Sequence, residues 1–208
     1  LTHAPAYSVA NAQARDGRQK FEVTEQGKTV EQIDLGIPGR HNQLNALAVC
    51  IECRSLGIPS AQIAAGLASF QGVKRRQELR GEIAGISVID DFAHHPTAVR
   101  ETLLALRARY PKRRLVAVFE PRSATSRRKI FQKEYAQAFA SADCVFIASP
   151  YDQSKIPAAD QFSSKELVTD LERQGRKAVL FGTPDEGVEE VALSAKAGDV
   201  VAVLSNGG

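Results

Sequence analysis

Ile86-Ser87-Val88-Ile89-Asp90-Asp91-Phe92-Ala93-His94-His95-Pro96 is the stretch on which the fold turns. Its opening residues are short, apolar and mostly β-branched, the pattern of a strand covered on both faces. Pro96 suits the first turn of a helix, where its missing N–H is no loss. The run Pro96–Arg109 that follows is helical in pattern. A strand that feeds a helix through a tight loop is the first half of a βαβ unit.

Working downstream, the same alternation recurs. Strands are expected at Ile86–Asp90, Leu115–Phe119, Cys144–Ala148, Ala178–Phe181 and Val200–Leu204, with helices at Pro96–Arg109, about Arg127–Ala140, Lys165–Gln174 and Pro184–Ala197. Ser163 with Glu166, and Thr183 with Glu186, read as capping boxes. These features predict a doubly wound α/β domain with a mostly parallel, Rossmann-like sheet. No G-x-G-x-x-G occurs, so a dinucleotide is not implied by motif.

Upstream, the pattern differs. Gln19–Val23 and Thr29–Leu35 read as a hairpin about the turn Glu25-Gln26-Gly27-Lys28. Gly36-Ile37-Pro38-Gly39 breaks the chain, and a helix is expected from about Asn42 to Leu56. Ser60 is the expected cap of a second helix carrying Ile63, Leu67 and Phe70 on one face. The polar stretch Val73–Gly81 reads as an interdomain linker.

The 208 residues are 43% hydrophobic and 25% charged, ordinary globular proportions that argue against a disordered chain. No apolar run approaches the roughly 20 residues of a spanning helix, and no secretory signal is present, so no membrane partner is expected. The absence of an initiating Met, and a strand running into Gly207-Gly208, lead us to expect a piece of a longer protein. Cys50, Cys53 and Cys144 give no disulfide framework, which suits a reducing cytoplasm. Cys50 and Cys53 have C-x-x-C spacing, open to a redox or metal pair or to two core residues one helical turn apart. The net charge of +3 hides an asymmetry: residues 107–133 hold ten Lys/Arg and one acid, while residues 134–208 hold twelve acids and six bases. Few aromatics accompany the basic stretch. It suits a small polyanionic ligand or a solvated face, and no nucleic-acid partner is expected.

Four clusters hold side chains suited to chemistry. Asp90 to Pro96 lies where a parallel strand gives way to a helix, the position at which open α/β sheets place ligands. There the helix N-terminus favours anions, and a carboxylate at Asp91 suits ribose hydroxyls. Asp90, Asp91, His94 and His95 also suit a metal-dependent phosphoesterase, or a structural cap. Gly39-Arg40-His41-Asn42-Gln43-Leu44-Asn45 opens a helix with Asn42 and Asn45 on one face, where an amide can read an adenine edge or cap the helix. Lys74-Arg75-Arg76 suits phosphate. Glu120-Pro121-Arg122-Ser123-Ala124-Thr125-Ser126-Arg127-Arg128 follows the second strand of the α/β domain and suits a ligand rich in carboxylate or phosphate. No P-loop signature G-x-x-x-x-G-K-[ST] is present.

Taken in order, these clusters resemble the Mur ligases over nearly the whole chain. Gly39-x-His41-Asn42-x-x-Asn45 resembles a motif near the end of their central ATPase domain. Arg75-Arg76 resembles the hinge residues, and Asp91-Phe92-Ala93-His94-His95-Pro96 the first loop of their C-terminal domain. The resemblance implies residues 1–77 as the end of the central domain and 78–208 as the Rossmann-like C-terminal domain. It implies an ATP- and Mg²⁺-dependent ligase acting through an acyl phosphate, with most Mg²⁺ ligands, the P-loop and the UDP-sugar site upstream. His94 and His95 would be catalytic. His41, Asn42, Asn45, Arg76 and Asp91 would bind nucleotide, while Arg122, Ser123 and Thr125 would bind the incoming peptide. Partners would be ATP, UDP-N-acetylmuramate, a muropeptide and other domains of the same chain. Gly72–Glu78 and Glu120-Pro121-Arg122-Ser123-x-Thr125 resemble members that join L-Ala-γ-D-Glu-meso-diaminopimelate to UDP-N-acetylmuramate in peptidoglycan recycling. Members that join L-alanine to the same nucleotide are the alternative. A free-standing nucleotide- or partner-binding module is the reading from another class.

Overall fold

The computed structural model describes residues 6–15 and 17–207, so Gly208 of the sequence reading lies outside it. The chain divides into two compact units, Leu1–Gly72 and Val73–Gly208.

In the first unit, strands β1 (Tyr7–Arg15), β2 (Arg18–Glu25) and β3 (Lys28–Leu35) form an antiparallel sheet in that order. The expected hairpin is present. Its turn places Gln26 and Gly27 at φ 49° and 78°, the conformation whose twist matches two-residue hairpins. The sequence reading missed β1. Its residues are largely exposed, and its register slips between Ala10 and Gln13, so no clean alternation marks it. Helices α1 (Arg40–Ser55) and α2 (Ser60–Ser69) follow, and Phe21, Val23, Ile33, Leu35, Ala46, Cys50 and Ile63 close the core. Ser60 does not cap α2. Pro59 holds that position, and the Ser60 hydroxyl donates instead to the buried carboxylate of Glu31 at 2.7 Å, which also pairs with Arg54 at 3.0 Å. Cys50 is buried in this core, and burial pushes its thiol up to about 11. Cys53 packs against the same cluster, so the C-x-x-C spacing reports two positions on the packed side of α1.

The second unit is a six-stranded sheet ordered β4-β5-β9-β6-β7-β8. Its strands are β4 (Glu78–Ile83), β5 (Ile86–Asp91), β6 (Leu115–Phe119), β7 (Cys144–Ala148), β8 (Lys177–Phe181) and β9 (Val200–Leu204). All pair in parallel except β4, which runs antiparallel on β5. Much of the expected linker is therefore an edge strand. Glu78-Leu79-Arg80-Gly81-Glu82-Ile83 escaped notice because a mostly exposed edge strand carries no apolar pattern.

Helices α3 (Pro96–Arg109), α4 (Gln132–Ala138) and α5 (Ser164–Arg173) pack around one buried cluster that includes Leu103, Tyr135, Phe139 and Leu167. Val191 of α6 (Pro184–Ser194) packs on a different cluster containing Phe146, Phe181 and Val201. The handedness of crossovers explains the division. From β6 to β8 the chain advances across the sheet, then reverses to insert β9 between β5 and β6. A right-handed crossover must then lie on the opposite face. The helix expected from Arg127 to Ala140 is shorter, because Lys129–Phe131 forms a 3₁₀ turn before α4 begins. Thr183 and Glu186 make the full capping box, whereas at Ser163 the hydroxyl accepts from Glu166 N–H.

Gly187 sits inside α6 where an added Cβ would lie 2.6 Å from the Phe181 ring. Gly→Ala in a helix interior ordinarily gains about 1 kcal/mol. Here overpacking costing about 1–3 kcal/mol outweighs that gain. Gly187→Ala is therefore expected to lower the urea midpoint of the chain, and an unchanged or raised midpoint would refute this close packing.

Candidate functional site

Residues from four stretches meet where β5, β9 and β6 end. The loop after β5 is built around Asp91, only 2% exposed. Its carboxylate accepts backbone N–H groups from Ala93 at 2.7 Å and Gln77 at 2.9 Å. Burial raises its pKa, while those two N–H groups, Arg76 and Thr102 pull it back. The carboxylate expected to meet ribose is thus turned inward, where both of its oxygens accept backbone N–H groups. Asp90 faces the other way and pairs with Arg75 at 3.5 Å.

His94 and His95 follow, each half-buried and each held differently. His94 Nδ1 lies 3.0 Å from the Phe92 carbonyl, which can only accept, so Nδ1 carries the proton and Nε2 the lone pair. His95 is the N-cap of α3, and its Nδ1 accepts from Thr97 N–H at 3.3 Å, which leaves the proton on Nε2. The His95 ring packs edge-on against Phe131 and borders a cleft with Arg100 and Glu134. The Tyr135 hydroxyl donates to the His94 carbonyl. Among the described residues, no three His, Cys, Asp or Glu side chains converge on a metal position. Asp90, Asp91, His94 and His95 thus do not converge as a three-ligand metal cage among the described residues.

The segment leading into β4 locks onto this loop. Arg75 and Gln77 adopt φ 57° and 51°, a left-handed backbone that costs non-glycine residues energy. The strain accompanies three bonds: Phe92 N–H to the Arg75 carbonyl at 2.7 Å, Gln77 N–H to Asp91, and Arg75 N–H to the Glu78 carboxylate at 2.8 Å. The guanidinium groups of Arg75 and Arg76 lie 5.3 and 5.5 Å from the centroid of the Phe92 ring.

The β6 and β9 ends complete the arrangement. Ser205 N–H donates to the Asp91 carbonyl at 3.1 Å, and its own carbonyl accepts from Arg75 at 2.7 Å. Its hydroxyl donates to Glu120. Glu120 also accepts from Arg122 at 3.2 Å, and that guanidinium stacks 4.4 Å from the Tyr151 ring centroid. Ser123 turns inward, capping its own turn through Ser126 N–H at 2.9 Å, whereas Thr125 is exposed. Ser205, Tyr135 and Tyr151 were not singled out from the sequence. Lone hydroxyls carry no motif, and only the topology brings them to the site.

In the first unit, His41, Asn42 and Asn45 lie in the opening turns of α1. The Asn42 amide donates to the Pro38 carbonyl at 2.6 Å. Asn45 is exposed.

A mostly parallel sheet with helices on both faces, and histidine, arginine and serine gathered at its carboxyl ends, is an α/β domain of the doubly wound class. The family of the Mur ligase, glutamate ligase domain, matches residues 75–207, and the chain belongs to the Mur ligase family. It is 36% identical to the UDP-N-acetylmuramate–L-alanine ligase of Nostoc punctiforme over 202 residues, covering 97% of this chain and 42% of that protein. The corresponding ligase of Bdellovibrio bacteriovorus is 38% identical over 178 residues, covering 86% and 38%. Among solved structures, the UDP-N-acetylmuramate–alanine ligase of Thermotoga maritima superposes with TM-score 0.80 at 28% identity, over 98% of this chain and 43% of that one. A murein peptide ligase of Psychrobacter arcticus gives TM-score 0.68 at 29% identity, over 100% and 42%. The chain thus spans about two-fifths of the length of these relatives. The relatives matched by sequence point to the alanine ligases rather than to the tripeptide ligases first expected.

The structural assignment of Asp91 makes a direct prediction. Asparagine offers one acceptor oxygen and turns an NH₂ toward the second buried N–H, a loss of about 1–3 kcal/mol. Asp91→Asn is therefore expected to lower the urea midpoint of the chain. Retained stability, with a raised KM for ATP in the full-length protein, would instead assign Asp91 the ribose role.

Proposed function

We propose that this chain is the C-terminal part of an ATP-dependent ligase that joins L-alanine to UDP-N-acetylmuramate, acting in the cytoplasm during cell-wall synthesis. The observation that carries this reading is the similarity of nearly the whole chain to UDP-N-acetylmuramate–L-alanine ligases. In the reaction, ATP transfers its γ-phosphoryl group to the carboxylate of the muramic acid lactyl group, giving ADP and an acyl phosphate. The acceptor amine then attacks the acyl carbon, the C–O bond to phosphate breaks, and an amide and inorganic phosphate leave. This chain's residues would do the positioning and the proton handling that such chemistry requires. His94 Nε2 takes the proton from the attacking nitrogen. His95 Nε2–H donates to a phosphate oxygen at the helix N-terminus, where anions are favoured. Arg76 meets the phosphate side, and His41, Asn42 and Asn45 the nucleotide. Arg122, braced by Glu120 and Tyr151, takes the acceptor carboxylate, with Ser123 and Thr125 on the same loop. Mg²⁺, when bound, would offset phosphate charge.

A second reading keeps the acceptor as L-Ala-γ-D-Glu-meso-diaminopimelate, in peptidoglycan recycling. It is favoured by Glu120-Pro121-Arg122-Ser123-x-Thr125 and by the likeness to the Psychrobacter arcticus murein peptide ligase. Phosphate release by the full-length protein, given ATP, Mg²⁺ and UDP-N-acetylmuramate, separates the two. Release with L-alanine supports the first and release with only the tripeptide the second, while release with neither overturns both. Under either, His94→Ala is expected to lower kcat by about 10²–10⁴-fold with little change in the KM for ATP.

A further inference from the structure

The loop that carries the two histidines has its polar backbone groups tied down one by one. Phe92 N–H goes to the Arg75 carbonyl, and Ala93 N–H goes to Asp91. The Phe92 carbonyl takes His94 Nδ1–H, and the His95 carbonyl takes Val99 N–H at 2.9 Å. These partners come from the loop itself, the leading segment and α3. The His94 carbonyl is held from elsewhere, by the hydroxyl of Tyr135 on α4.

Tyr135 is fully buried, at 0% exposure, in the aromatic core of the second unit. Its ring lies 5.0 Å from Phe119 and 5.4 Å from Phe162, centroid to centroid. Phenylalanine would fill that space equally well, so packing accounts for the ring but not for the hydroxyl. Burial holds the phenol well above its ordinary range, so it stays protonated and remains a donor. The donor reaches the residue whose Nδ1–H is already fixed, so the bond sets where His94 Nε2 points. A hydrogen bond anchored in a rigid core fixes a ring position better than one from a mobile loop.

We infer that Tyr135 is a positioning residue for His94, and this rests on the ligase reading in which His94 accepts the proton of the attacking amine. Tyr135 touches no reacting atom. It acts by holding the His94 carbonyl so that the Nδ1–H tautomer persists and the Nε2 lone pair keeps its direction.

The test is Tyr135→Phe in the full-length ligase, alongside His94→Ala and the double variant. Tyr135→Phe is expected to lower kcat by about tenfold and leave the KM for ATP within about twofold. The deficit should narrow as pH rises, because hydroxide can then take the proton that the nitrogen sheds on forming the amide. In the double variant, adding Tyr135→Phe to His94→Ala should cost nothing further, since the hydroxyl acts through His94. A second readout needs no turnover. In ¹⁵N-histidine spectra of the 208-residue chain, His94 should show the Nδ1–H tautomer, giving way to a tautomer mixture in Tyr135→Phe. A lowered melting temperature with unchanged kcat and unchanged tautomer would make the hydroxyl merely structural and overturn the inference. So would an independent, additive loss in the double variant. Wild-type rates in His94→Ala would instead overturn the proton-acceptor role itself, a separate outcome because it does not depend on Tyr135.

Discussion

A carboxylate removed from water must find donors, and Asp91 finds two backbone N–H groups on opposite sides of it. One belongs to the segment before β4, the other to the loop before α3. The same residue's carbonyl receives Ser205 N–H from the end of β9. The segment before β4, the loop after β5 and the end of β9 are therefore pinned to one residue at the tip of β5. The left-handed backbone at Arg75 and Gln77 follows from this constraint, since the bonds they make hold conformations that the residues would not adopt alone.

The topology makes such pinning necessary. β9 is last in the sequence yet sits between β5 and β6. The carboxyl end of the sheet therefore combines residues 75–77, 91–95, 120–122 and 205–207, and none of these groups is complete without the final strand. Ser205 shows the consequence: it bonds to Asp91, Arg75 and Glu120, one partner from each neighbouring stretch. Arg122 then gains its place indirectly, through Glu120 on one side and the Tyr151 ring on the other. Gly207 is pressed so close to this pair that a Cβ would lie 2.7 Å from the Arg122 side chain. The loop that reads as a ligand-binding loop is thus shaped by the segment that follows β9.

The central parallel strands were legible because both of their faces are buried, which leaves short apolar runs such as Leu115–Phe119 and Cys144–Ala148 with sharp ends. β1 and β4 were not, since each is an edge strand whose exposed side chains obey no apolar period. For the site, the local clusters around Asp91, Arg75 and Arg122 stood out because charged residues lay beside turn signals. Their roles did not. Nothing in Asp90-Asp91 says which carboxylate turns inward, and the strand's alternation decides it only once the covered face is known. Tyr135 and Ser205 were invisible for a different reason: a single hydroxyl acquires meaning only from what the fold sets opposite it.

The adjacent histidines show how backbone geometry alone can separate two identical side chains. His94 sits in the loop, two residues after a carbonyl that its ring can reach, so its Nδ1 must be the donor. His95 stands one residue later, at a helix N-cap where unpaired N–H groups demand an acceptor, so its Nδ1 must accept. One ring therefore presents a lone pair from Nε2 and the other an N–H from the same atom. Transfer of an acyl group from phosphate to an amine calls for both, an acceptor for the proton leaving nitrogen and a donor for the charge gathering on phosphate oxygen. In the proposed ligase, that division of labour needs no difference in residue type, only the step from loop to helix that Pro96 enforces.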